Sequence, residues 1–148
     1  MDEDLNGATL KHEALTSRII GVFYSVYNEL GYGFLESVYE EALFIALTEH
    51  GLEVKQQHPV PVWFHGRRIG DFKADLLVEN LIVLELKAAR TLDSSHEAQW
   101  LHYLKSTEFE LGLLFNFGLR PAFRRLLFDN ERKRIREYPW QSVAEMGS

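Results

Sequence analysis

Residues 71–87 read Asp71-Phe72-Lys73-Ala74-Asp75-Leu76-Leu77-Val78-Glu79-Asn80-Leu81-Ile82-Val83-Leu84-Glu85-Leu86-Lys87. Branched and aliphatic residues on either side of the polar pair Glu79-Asn80 predict two strands joined by a tight turn. The runs are apolar on both strand faces, as in a sheet covered on both sides, so charges inside them are costly unless they have partners. Asp75 falls in the first strand, Glu85 and Lys87 in the second. Side chains alternate along a strand, so Glu85, Lys87 and Val83 share a face. A two-residue turn at Glu79-Asn80 pairs Asp75 with Leu84 and turns it away from Glu85. A three-residue turn, Glu79 to Leu81, or a one-residue bulge instead sets Asp75 directly opposite Glu85; asparagine tolerates the left-handed backbone such a turn needs. The sequence leaves both registers open. In the second, the two Cβ atoms stand about 4.5–5.5 Å apart. The carboxylates then repel, and one holds a raised pKa unless a cation lies between them. Mg²⁺ is the natural partner, because it takes oxygen ligands and keeps several waters.

These residues carry a resemblance. Asp75 followed by Glu85-Leu86-Lys87 resembles the D…(D/E)xK signature of the PD-(D/E)XK nuclease superfamily. Gly33-Phe34-Leu35-Glu36-Ser37-Val38-Tyr39 is similar to the motif that names the GxxExxY family within it, and Gln99 with Tyr103 to the QxxxY motif of its exonuclease branch. The similarity spans residues 10–118, although Lys73-Ala74 stand where the superfamily's name places a proline. It implies an α/β fold: an αβββαβ nuclease-like core, a mixed sheet flanked by helices, with an extra N-terminal helix. It also implies metal-dependent hydrolysis of phosphodiester bonds in nucleic acid, DNA favoured, with Mg²⁺ (or Mn²⁺) as cofactor. By resemblance Asp75, Glu85 and the Leu86 carbonyl hold the ion, and Glu36 reaches it directly or through water. Lys87 orients or deprotonates the attacking water, and Gln99 and Tyr103 line the substrate groove.

Each of these residues also has a plainer reading. Glu36 opens a helix, where an acid complements the helix dipole. Gln99 and Tyr103, four apart on another helix, share a face that could simply be surface with a half-buried tyrosine. Asp75, Glu85 and Lys87 could be cross-strand ion pairs on an exposed sheet face. A non-catalytic binding or interaction module that keeps the nuclease fold is therefore the alternative function, and a homodimer paired through an edge strand is a further possibility.

The 148 residues suit one domain, expected over residues 16–138, with a flexible tail and helix lead-in over 1–15 and a C-terminal tail over 139–148. Zero Cys excludes disulfides, thiolate nucleophiles and Cys-based zinc sites. No apolar run is long enough to span a bilayer, the acidic start is unlike a signal peptide, and a cytoplasmic protein is the expectation. The net charge of −6 is unevenly spread. Up to Glu53 only Lys11 and Arg18 oppose the acids, whereas Arg120, Arg124, Arg125, Arg132, Lys133, Arg134 and Arg136 crowd the last part. That basic run reads as a solvated hairpin face or as a phosphate-contacting edge.

In chain order, Thr16 is expected to cap a helix buried through Ile19, Ile20, Phe23, Val26, Tyr27 and Leu30 and ended by Gly31. A second helix is expected over 35–50, with Tyr39 in the core. Pro59 and Pro61 mark residues 53–64 as an edge strand, and His65-Gly66-Arg67-Arg68 reads as the turn after it. Ser94 with Glu97 forms a capping box for a helix reaching about Thr107. His96-Glu97 is no zinc motif, because Trp100 stands where the second histidine is required. Leu111–Phe117 reads as a strand, and Arg124–Phe128 with Arg134–Tyr138 as a final hairpin.

Overall fold

A computed structural model describes residues 2–127 of the chain, with side chains from residue 12 onward. Helices α1 (Asp2–Leu30) and α2 (Glu36–Glu49) precede strands β1 (Val54–Phe64), β2 (Arg67–Val78) and β3 (Ile82–Lys87). Helix α3 (Ser94–Lys105) then leads to β4 (Leu111–Phe117) and β5 (Pro121–Leu127). The strands form one mixed sheet in chain order, antiparallel throughout except for the parallel β3–β4 pair. A parallel pair needs a crossover, and α3 supplies it on one face of the sheet while α1 and α2 cover the other.

Both faces are therefore buried, which accounts for the doubly apolar run that begins at Leu76. Leu76, Val78, Ile82, Leu84 and Leu86 pack with Ile19, Phe23, Val26, Tyr39, Leu43 and Leu47 from α1 and α2. Leu77, Val83 and Leu114 pack with Trp100 and Leu104 of α3. On the α1 side Phe23 stacks on Phe115 with centroids 4.2 Å apart, and Tyr39 stacks on Phe117 at 4.1 Å. On the α3 side Trp100 lies over the bare backbone of Gly112, where a Cβ would come within 2.6 Å of the indole.

The β2–β3 turn takes the three-residue form. Val78 pairs with Ile82, leaving Glu79, Asn80 and Leu81 between the strands. Both Glu79 (φ +55°) and Asn80 (φ +53°) are left-handed, which costs a non-glycine residue about 1–2 kcal/mol. Two hydrogen bonds offset that cost: the Glu79 amide donates to Glu53 O (2.8 Å), and the Glu53 amide donates to the Glu79 carboxylate (2.6 Å). At the other end of β2, Phe64 pairs with Arg67 across His65 (φ +49°) and Gly66 (φ +72°), a two-residue turn of the same hand. β1, with Pro59 and Pro61, is an edge strand as expected.

Some boundaries differ from the sequence reading. Thr16 is not a cap: α1 runs back to Asp2, straight through Asn6-Gly7, and Thr16 is buried within it. Gly31 (φ +72°) ends α1, its amide donating to Tyr27 O at 2.7 Å. The cap of α3 is Asp93 rather than Ser94, because its carboxylate takes the amides of Ser95 (2.8 Å) and His96 (3.2 Å). Glu97, freed from a capping role, pairs with Arg124 of β5. β5 begins at Pro121 and pairs with β4; the second arm of the expected final hairpin, Arg134–Tyr138, lies outside the described residues.

Candidate active site

The ladder between β2 and β3 has three pairs, Leu76–Leu84, Leu77–Val83 and Val78–Ile82. Beyond them the strands part, and the register that continues past Leu76–Leu84 brings Asp75 to Glu85. Asp75 replaces the missing rung with its side chain: one carboxylate oxygen accepts the Leu86 amide at 2.8 Å. The other accepts from the Gln57 side chain at 3.2 Å. Gln57 (φ +48°) is the residue of β1 that the ladder skips between Gln56–Leu76 and His58–Ala74. Its amide also donates to Glu40 of α2 at 2.7 Å, and Gln56 donates to Glu40 and Glu41.

Glu85 is the most perturbed acid of the site. Burial, a hydrogen bond with Asp75 and the Asp75 charge push its carboxyl up to about 9; Lys87 opposes the shift and Glu36 adds to it. The protonated form of Glu85 is therefore favoured at neutral pH where no cation stands against it. Glu40 is also raised, first by burial and tempered by its bond to Gln57. A hard divalent cation would neutralise this acid set where a proton now does, so the donors are of the right chemical kind. Glu36 stands exposed in the first turn of α2, close enough to act on Glu85 electrostatically. Among the described residues no three His, Cys, Asp or Glu side chains converge as a metal-holding group. Tyr39, fully buried, holds the Gly33 loop: its hydroxyl donates to Gly31 O and accepts from the Phe34 amide at 3.2 Å.

Glu85 and Lys87 open into a groove of about 410 Å³ that Gln99, Tyr103, Lys73 and His96 also line. Gln99 and Tyr103, one helical turn apart on α3, thus face the same space as the acid and the lysine. The tyrosine ring stacks on Phe72 at 4.8 Å. The Leu86 side chain points away into the core under α1 and α2, so only its backbone belongs to the site. Behind the site, Asn116 is paired in register with Lys87.

The profile of the PD-(D/E)XK nuclease superfamily matches residues 13–126. The chain belongs to that superfamily. A five-stranded mixed sheet with helices on both faces is the fold expected of a PD-(D/E)XK domain, and nuclease-like action on nucleic acid with a divalent metal is what membership implies. Searches among curated proteins and among solved structures returned no match. No helix among the described residues is long and apolar enough to cross a membrane.

Three residues that bond to or pair with these candidate residues escaped the sequence reading. Glu40 lies four residues after Glu36, on the same face of α2, and that spacing could have found it. Asn116 is the lone polar residue in Leu111–Phe117, which signals a buried partner. Gln57 carried no usable signal, since its role depends on a skipped rung in β1.

Proposed function

We propose that the protein is a metal-dependent nuclease of GxxExxY type that hydrolyses phosphodiester bonds, DNA favoured over RNA. The observation that carries this reading is the facing pair of Asp75 and Glu85, placed where β2 and β3 part and opening beside Lys87. Asp75 and Glu85 are the proposed Mg²⁺ ligands, with Mn²⁺ as a substitute and Glu36 as an outer ligand. Within a strand a residue's N–H and C=O leave on the same side, so the Leu86 carbonyl is directed to the parted edge and completes the set. The ion would supply charge to a phosphate oxygen and acidify an attacking water. Lys87 positions that water and steadies the charge that develops on the phosphate. Gln99 and Tyr103 hold the strand against α3.

The test is cleavage of labelled single- and double-stranded DNA and RNA with Mg²⁺ or Mn²⁺. Wild type is expected to cut, with Glu85→Ala and Lys87→Ala each reduced 100-fold or more. A folded wild type that binds the ion and cuts none of the four overturns the reading. One observation favours the alternative, a binding module that has kept the fold: both Asp75 oxygens are engaged by Leu86 and Gln57. A homodimer through β1 is a further proposal, decided by mass in solution.

A further inference from the structure

Asp75 is held from both neighbouring strands. Its Oδ2 accepts the Leu86 amide of β3 at 2.8 Å, and its Oδ1 accepts from Gln57 Nε2 of β1 at 3.2 Å. Gln57 stands across the β1–β2 ladder from Asp75, between the pairs Gln56–Leu76 and His58–Ala74. Side chains so placed are close neighbours. A carboxamide has two N–H donors, and Gln57 uses both on acids, the second going to Glu40 Oε1 of α2 at 2.7 Å. With both donors committed the amide is fixed in its plane, and it fixes the carboxylate that it faces.

The backbone bends to allow this. Gln57 is left-handed (φ +48°) in the interior of β1, although the turn to β2 comes only at His65-Gly66. A residue with a Cβ adopts that conformation at a cost, and strain of this kind gathers at working sites. Gln56 bonds the same helix, donating to Glu40 at 3.3 Å and Glu41 at 3.0 Å, and has no hydrogen bond to Asp75 among the described residues. Nor do the bonds to Asp75 block it. An ionised carboxylate oxygen has two lone pairs, so each Asp75 oxygen that accepts one N–H keeps another for a cation. Carboxylates that ligate metals are themselves hydrogen-bonded by outer residues, which orient them.

We propose that Gln57 is a positioning residue of the acid site: braced by Glu40 of α2, its amide orients Asp75 for a divalent cation and so sets the affinity of the Asp75–Glu85 pair for that ion. Gln57 supplies no ligand, and Glu40 acts through Gln57. The inference rests on the proposed role of Asp75 and Glu85 as metal ligands.

The test is the Mn²⁺ affinity of the full chain by isothermal titration calorimetry without nucleic acid, with cutting of labelled DNA and RNA followed over a Mn²⁺ series. Gln57→Gly removes the amide and suits the left-handed backbone. Its melting temperature in EDTA should stay close to wild type while Mn²⁺ affinity falls roughly 10- to 100-fold, and cutting should need correspondingly more Mn²⁺. Gln56→Ala, which loosens the helix contact without touching Asp75, should bind Mn²⁺ as wild type does. Glu40→Ala leaves β1 intact and should weaken binding as Gln57→Gly does, so it decides the matter if Gln57→Gly fails to fold. Glu40→Gln, whose side-chain oxygen still accepts from Gln57, should keep most of the affinity; a loss equal to that of Glu40→Ala means that Glu40 acts by its charge and overturns the brace. Undiminished Mn²⁺ affinity in folded Gln57→Gly overturns the positioning role and leaves the nuclease reading standing. Binding that weakens as expected in a chain that cuts nothing upholds Gln57 and overturns the nuclease. A wild type that takes up no Mn²⁺ overturns both.

Discussion

Asn116 shows how one polar side chain can hold a site together from behind. It is 1 % exposed; its amide oxygen accepts the Ala89 N–H at 3.0 Å and its nitrogen donates to Ala89 O at 2.9 Å. The chain is thereby clamped to β4 two residues after Lys87. Asn116→Leu keeps the volume but leaves both Ala89 groups unpaired, which should cost about 2–4 kcal/mol in urea unfolding. Asn116→Asp, which keeps an acceptor, should recover part of that. Cutting should slow in Asn116→Leu, since the end of β3 that carries Lys87 is no longer fixed. At this scale the sequence was legible where a residue type is costly in its context: a charge in an apolar strand had to have a partner, and Asp75, Glu85 and Lys87 stood out. The partner itself was not legible. Asn116 and Ala89 are separated by 27 positions, and nothing local in either one points to the other.

Among the elements, α3 and β4 depend on each other. A Cβ at Gly112 would lie 2.6 and 2.7 Å from two atoms of the Trp100 ring. Gly112→Ala therefore pushes α3 off the sheet at about 1–3 kcal/mol, read as a lower melting temperature. Because Gln99 and Tyr103 ride on α3, the same variant should bind substrate more weakly, seen as a raised KM. Combining it with Trp100→Phe, which frees space over position 112, should return part of the loss. The helices and strands themselves were readable from periodicity and from Gly and Pro. Their ends were less so, since Asp93 and Ser94 are both good caps and only the backbone path chooses the aspartate. The β2–β3 register was likewise undetermined, because Glu79 had to adopt a left-handed backbone and the Glu53 contacts that hold it there are distant in sequence.

At the scale of the molecule, the raised Glu85 carboxyl ties stability to pH. Its folded value of about 9 exceeds the ordinary 4.5, so the fold favours the protonated form. The stability this contributes is fully present below pH 4.5 and drains away as pH rises toward 9. Glu40, also raised, acts in the same direction. Glu13 and Asp93, held low mainly by hydrogen bonds from Arg125 and Ser95, act oppositely and lose their contribution in acid. Thermal scans in chelator should therefore show the highest melting temperature at mildly acidic pH and a decline toward pH 9. Glu85→Gln should flatten the decline. Mg²⁺ should restore wild type, but not that variant, at alkaline pH. The parallel β3–β4 pair bears on how the molecule assembles. On one side β1, β2 and β3 form a meander closed by short turns; on the other β4 and β5 form a hairpin. Each piece is locally wired and quick to form, whereas the seam between them must wait for α3 to cross. Asp75 and Glu85 both belong to the meander, so contact order predicts that the acids come together first and that β4, with Asn116, arrives later to fix Lys87 beside them.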